Sequence, residues 1–216
     1  MKIRRTLLIV FAVLPLIAAI IALFFMPEQI PAHYGADFTV DRYGSKYEVL
    51  IFPAIILVVG LTFLIPAALT GSEANKKLIL NIGLGMTLFF DVLSFYILYM
   101  QATGARDMKS GPFSFERFLL LCFGAFFIFF GNLLPMTRRN SFIGLRTKWS
   151  MKNDTVWKKS QLFGGISMII LGVVLFVLAF TFPNIFLMIV LLIAVAIADT
   201  VYTYFAAKKY GDAADE

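Results

Sequence analysis

Cysteine occurs once, as Cys122, and histidine once, as His33. A lone cysteine inside an apolar run excludes an intrachain disulfide and leaves no thiol pair for redox chemistry. There is no H-E-x-x-H, no G-x-S-x-G and no Cys pair, so the sequence lacks the common marks of a zinc or serine hydrolase. Charge is scarce as well. Only 15% of the 216 residues are Asp, Glu, Lys or Arg, against roughly 25% in soluble domains. Internal repeats, low-complexity tracts and a separate polar domain are also missing.

What is present is apolar. The chain is 60% hydrophobic and holds 24 Phe. One soluble core of this size cannot hide so many apolar side chains, whereas lipid can solvate them. Six runs are long enough to cross a hydrocarbon core, near 6–26, 48–69, 78–101, 114–135, 162–182 and 184–206. Unpaired backbone groups are not tolerated in lipid, so the runs should be helices. A barrel strand would alternate, and "LLLCFGAFFIFF" does not. The first run is long for a signal-peptide core and no A-x-A site follows it, so it reads as a span. Pro15, Pro53 and Pro66 could kink spans one and two.

The net charge of +6 sits in the connectors. It reads as the positive-inside signal of a membrane protein, with no direct nucleic-acid partner. With the N-terminus inside, the inner segments hold 14 of the 19 Lys and Arg residues, and seven of these lie in 138–161. The expectation is an all-α membrane protein with six transmembrane helices, both termini cytoplasmic, and a short interfacial helix before span five. Residues 1–70 read as an N-terminal two-helix unit with an outer connector at 27–47. Residues 71–216 read as a four-helix unit with an inner connector at 136–161.

The outer connector, "MPEQIPAHYGADFTVDRYGSKYE", has prolines that keep the chain extended and glycines that permit turns. "DFTV" suits a short strand. His33, Asp37 and Asp41 are spaced by four and on a helix could hold a metal. Gly35 and the Phe38-Thr39-Val40 run oppose a helix, so no metal and no cofactor is assigned. The expected role of Asp41 and Tyr43 is turn hydrogen bonding.

The inner connector carries both tryptophans, Trp149 and Trp157, which suit a membrane–water interface. Ser150 is placed to cap a helix starting at Met151, with Asn153 at its third position, running into span five. Lys158 and Lys159 then reach headgroup depth, where membrane lipid is the partner. Arg146 carries a planar fork that could hold backbone carbonyls or a carboxylate and staple the loop. Within the spans, Asp91 and Asp199 are costly in lipid. They should face a bundle interior and find groups such as Asn132, Ser94 or Thr200. Gly83 and Gly85 would let span three approach a neighbour closely. The two aspartates leave a second function open, a small proton- or ion-coupled transporter.

"NSFIGLRTKWSMKNDTVWKKS" closely resembles the signature of the bacterial Sdp immunity protein (SdpI) family. Asn140, Ile143, Gly144, Leu145, Arg146, Thr147, Trp149, Ser150, Met151, Asn153, Val156 and Trp157 fit that pattern. The outer connector resembles a small domain of unknown function found at the N-termini of such proteins. Pro27, Ile30, Pro31, His33, Tyr34, Asp41, Arg42, Tyr43, Gly44 and Lys46 fit it. One departure follows the second Trp. Many relatives continue with a Thr-His-Arg-like trio, where this chain has Ser160, Gln161 and Leu162. The resemblance implies a non-enzymatic membrane protein that protects a bacterial cell from a secreted, membrane-permeabilising peptide toxin. It further implies a receptor that holds a transcriptional repressor at the plasma membrane.

Overall fold

The computed structural model describes residues 1–35, 37–108, 114–140 and 143–212. The elements run α1 (Lys2–Ala22), β1 (Gln29–Tyr34), β2 (Val40–Ser45), a 3-10 turn (Lys46–Leu50), α2 (Ile51–Thr62), α3 (Leu64–Leu69), α4 (Glu73–Ala102), α5 (Phe115–Leu133), α6 (Asp154–Thr181) and α7 (Ile185–Tyr210). Among the described residues six helical stretches are long and apolar enough to cross a membrane. At about 1.5 Å per residue, even the 21 residues of α1 reach across a hydrocarbon layer of about 30 Å.

Prolines decide where these helices break. Pro53 lies in the first turn of α2, where its missing N–H costs nothing. Pro66 falls where span two should be regular. It offers no N–H to the turn before it, and the helix is interrupted at Phe63 between α2 and α3. Pro15 stays inside α1. Between the last two spans the turn is tight. Asn184 caps α7 by accepting the Leu187 N–H at 2.9 Å.

The chain forms two compact units, Met1–Phe118 and Leu119–Glu216. In the first, α4 packs along α1 and α2, so span three belongs with the first two spans. The composition-based division had grouped it with the last three. A Cβ added at Gly83 would lie 2.9 Å from the Phe63 side chain, and one at Gly60 would lie 2.7 Å from Ala12 Cβ. These contacts are the close approach expected of small residues in helix packing without a water-driven core.

In the second unit two glycine pairs set the spacing of α5 and α6. A Cβ at Gly172 would come 2.6 Å from the Gly124 carbonyl oxygen, and one at Gly165 would come 2.6 Å from that of Gly131. The pairs recur seven residues apart on each helix, two turns along one face. Leu120, Leu171, Leu175, Ala179 and Met188 fill the space beside them.

The 27–47 connector is not all helix and turn. It is an antiparallel hairpin of β1 and β2 in which Ile30 opposes Gly44 and Tyr34 opposes Val40. The strand expected at "DFTV" begins only at Val40, and the residues before it form the tip, where Phe38 has a positive φ of 67°. The strands flank it because the extended Pro27–Pro31 stretch supplies one arm. The tip also pairs with the connector after α4, where Val40 N–H donates to Arg106 O and Met108 N–H to Phe38 O, each at 3.0 Å.

Candidate functional site

The 138–161 connector is built by side chains that hold backbone. Asn140 Oδ1 accepts the Ile143 N–H at 2.8 Å, while its Nδ2 donates to the carbonyls of Ile143 at 3.0 Å and Arg138 at 2.6 Å. One amide therefore closes the turn on both sides, as Asn does well. Gly144 follows at φ +122°. A Cβ there would meet two ring carbons of Trp157 at 2.8 Å and Gln161 Oε1 at 2.9 Å. Only glycine fits both the backbone conformation and the space.

Gln161, on the second turn of α6, reads the next residue as a bidentate partner. Its Oε1 accepts the Leu145 N–H at 2.8 Å and its Nε2 donates to the Leu145 carbonyl at 3.0 Å. Ser150 Oγ donates to the same carbonyl at 2.7 Å and accepts the Thr147 N–H at 2.9 Å. Thr147 Oγ1 accepts the Ser150 N–H at 2.9 Å and lies 2.8 Å from Thr203 Oγ1. Thr203 donates onward to the Thr200 carbonyl at 2.7 Å. With that hydrogen used, the Thr147 hydroxyl is the donor to Thr203. The loop is thus bolted to α6 by Gln161 and to α7 by Thr147.

Several sequence expectations change here. Ser150 does not cap a helix, because its hydroxyl is spent inside the loop. Residues 148–151 form turns and Lys152 a bend, and the helix that runs into span five begins three residues later than expected. Asn153 is the cap, accepting the Val156 N–H at 2.8 Å, and α6 starts at Asp154. Asn153 Nδ2 also donates to the carbonyls of Tyr210 at 2.9 Å and Gly211 at 3.2 Å, tying the connector to the end of α7. Trp157 packs inside the protein and does not face lipid or water. It is 1% exposed, and its indole N–H donates to the Thr137 carbonyl at 2.8 Å. Trp149 keeps a half-exposed position, with Lys148 Nζ 5.0 Å from its ring centroid.

The staple is a different arginine. Arg139 Nε lies 2.7 Å from Asp154 Oδ1, and its Nη1 donates to the carbonyls of Met151 at 3.3 Å and Lys152 at 3.2 Å. This is the fork geometry the sequence reading gave to Arg146. Arg146 is exposed and has no hydrogen-bond partner among the described residues. Arg139 was overlooked because nothing local marks it. Gln161 was overlooked too, although an amide at the start of an apolar run is itself a signal.

Across the chain, the 27–47 hairpin groups its expected residues differently. His33 Nδ1 and Asp41 Oδ1 are 2.6 Å apart, whereas Asp37 serves the Thr39 hydroxyl at 2.8 Å. Among the described residues no three His, Cys, Asp or Glu side chains converge. Lys46 pairs with Glu28 at 2.8 Å, Arg42 with Glu48 at 2.8 Å, and Tyr43 is exposed. Tyr34 hydroxyl donates to the Ala105 carbonyl at 3.0 Å, and burial pushes its phenol up to about 12. The intramembrane aspartates differ from each other. Asp91 is 3% exposed and neither carboxylate oxygen has a partner among the described residues. Asp199 Oδ1 lies 2.7 Å from Ser167 Oγ. Neither uses Asn132, whose Nδ2 donates to its own helix at Ile128 O.

Residues 137–203 match the SdpI/YfhL protein family. That match takes in the connector, α6 and most of α7. Residues 10–57 match a domain of unknown function, DUF1648, which takes in α1 from residue 10 onward, the hairpin and the start of α2. The chain is 26% identical over 203 residues to "Immunity protein SdpI" of Bacillus subtilis, covering 93% of this chain and 94% of that protein. It is 37% identical over 51 residues to an uncharacterized protein of Archaeoglobus fulgidus, covering 24% of this chain and 28% of that one. No solved structure matches. The clamp of Gln161 and Ser150 on Leu145 and the Thr147–Thr203 bolt both lie inside the matched residues.

Proposed function

We propose that this chain is a non-enzymatic immunity protein of the bacterial plasma membrane, protecting the cell from a membrane-active peptide toxin. One observation carries the reading. The similarity to the Bacillus subtilis immunity protein runs nearly end to end, and the residues that match the SdpI/YfhL family include the hydrogen-bonded connector. The clamp holds backbone with amides and hydroxyls, which suits a receptor surface and offers no nucleophile and base in mutual reach.

In this reading both termini are cytoplasmic, since 14 of the 19 Lys and Arg residues then lie inside. The hairpin faces outward, towards a secreted peptide. Arg146 and Lys148, exposed on the ordered loop, face a cytoplasmic regulator. Reporter fusions after residues 74 and 150 then read cytoplasmic, and fusions after 38 and 108 read external. An external reading at 150 overturns the orientation. Function is tested by expressing the chain in a toxin-sensitive bacterium and scoring survival against membrane-active peptides. Survival above the empty-vector control for at least one peptide is the expected result, and none for any peptide argues against immunity.

A further inference from the structure

We infer that the connector end of the second unit carries a binding site for the phosphate headgroup of an anionic phospholipid, centred on Tyr210 between Lys159 and Lys209. Lys159 Nζ lies 5.9 Å and Lys209 Nζ 5.1 Å from the centroid of this one ring. Two ammonium groups over one ring attract the ring but repel each other. No carboxylate joins them among the described residues. Of the acids described at this end, Asp154 pairs with Arg139 and Asp212 with Lys152. Lys158 and Lys208, the sequence neighbours of these two lysines, are exposed and also have no carboxylate partner among the described residues. Among the described residues these lysines have no counter-charge, which an anionic headgroup supplies.

Position identifies its source. Lys158 continues the exposed stripe Leu162, Ile166 and Ile170 of α6, each four residues on. Lys209 continues the exposed stripe Phe205, Val201 and Ile197 of α7. Residues four apart share a helix face, and these faces meet acyl chains because both helices are membrane spans. Lys158 and Lys209 therefore stand where the acyl layer ends and phosphate begins, with stems along apolar surface and heads in the polar layer, and Lys159 is the next residue of α6 at that depth. Tyr210 and Trp149 add rings suited to that depth. Asn153, which ties the connector to the Tyr210 and Gly211 carbonyls, makes this lipid site part of the connector's own support.

The test uses the full chain in nanodiscs of phosphatidylcholine with and without phosphatidylglycerol. Native mass spectrometry counts the lipids that stay bound. Wild type should retain phosphatidylglycerol in preference to phosphatidylcholine. Lys159→Gln with Lys209→Gln should weaken that retention about fivefold per lysine, from the usual strength of a juxtamembrane cation on an anionic surface. Lys76→Gln with Lys77→Gln, which removes the same charge from the start of α4, should leave it unchanged. Thermal stability in pure phosphatidylcholine should be equal for wild type and the Lys159/Lys209 variant, which excludes misfolding. Equal retention by all three proteins overturns the site. So does retention of an acidic peptide, polyglutamate, with no preference for phosphatidylglycerol.

Discussion

Replacing Gln161 by Leu tests the clamp at its centre. The two side chains are close in size, so the change removes polarity and leaves little cavity. Gln161 makes two bonds to Leu145, but they are not equally replaceable. The Leu145 carbonyl keeps the Ser150 hydroxyl at 2.7 Å. The Leu145 N–H has Gln161 Oε1 at 2.8 Å as its acceptor and loses it. Leaving a poorly hydrated N–H without an acceptor costs about 1–3 kcal/mol. If the loop opens locally, that cost shows as faster amide exchange. Hydrogen exchange in nanodiscs, read by mass spectrometry, should speed up by about 10- to 100-fold in the peptide covering 143–150. Peptides in the middle of α7 should not change. Gln161→Glu keeps an acceptor for the N–H but loses the donor to the carbonyl, and should fall between the two. Unchanged exchange at 143–150 in Gln161→Leu would refute the claim that this amide orders the loop.

Three further outcomes follow from the packing. Gly165→Ala should abolish accumulation of folded protein, because its Cβ meets the Gly131 carbonyl at 2.6 Å, whereas Gly71→Ala, with nothing within 4 Å, should leave the yield in detergent unchanged. Arg139→Lys should loosen the connector in the same exchange assay, by about 1–2 kcal/mol for its lost charge-assisted bonds, while Arg146→Lys, with no bond to lose, should not. Asp199→Asn should be well tolerated, since its amide can donate to Ser167 Oγ while Ser167 donates to Gly164 O at 2.9 Å; Asp199→Leu should lower thermal stability by about 1 kcal/mol for the lost interhelical bond. Loss of protection in a well-folded Asp91→Asn or Asp199→Asn variant would instead favour proton or ion movement.

The six spans were legible because lipid forces helices and pushes charge into the connectors. The Pro66 break was legible for the same local reason. Long-range partners were not. Gly124 and Gly131 look like ordinary small residues until α6 presents Gly172 and Gly165 to them. In the hairpin, a β-branched and aromatic run marked a strand, yet Phe38 turns with a positive φ and the strands form on either side. In the connector, the sequence marked the right segment and misassigned roles within it. Trp157 and Arg146 were read by residue type, as an interfacial ring and a stapling fork. Which tryptophan is buried depends on the pocket made by Gly144 and Gln161. Which arginine is the staple depends on Asp154 standing beside Arg139. Both facts come from the folding of the loop back onto α6.

The central claim is that this chain protects a bacterial cell and that the ordered 138–161 connector is needed to do so. The measurement is survival of a toxin-sensitive bacterium across a toxin dilution series, with wild type and Gln161→Leu at matched membrane abundance, because a weakened fold can lower protein amount by itself. The expected result is protection by wild type and its loss in Gln161→Leu. Equal survival with the two proteins would contradict the need for the clamp, and no survival with wild type would contradict the immunity function itself.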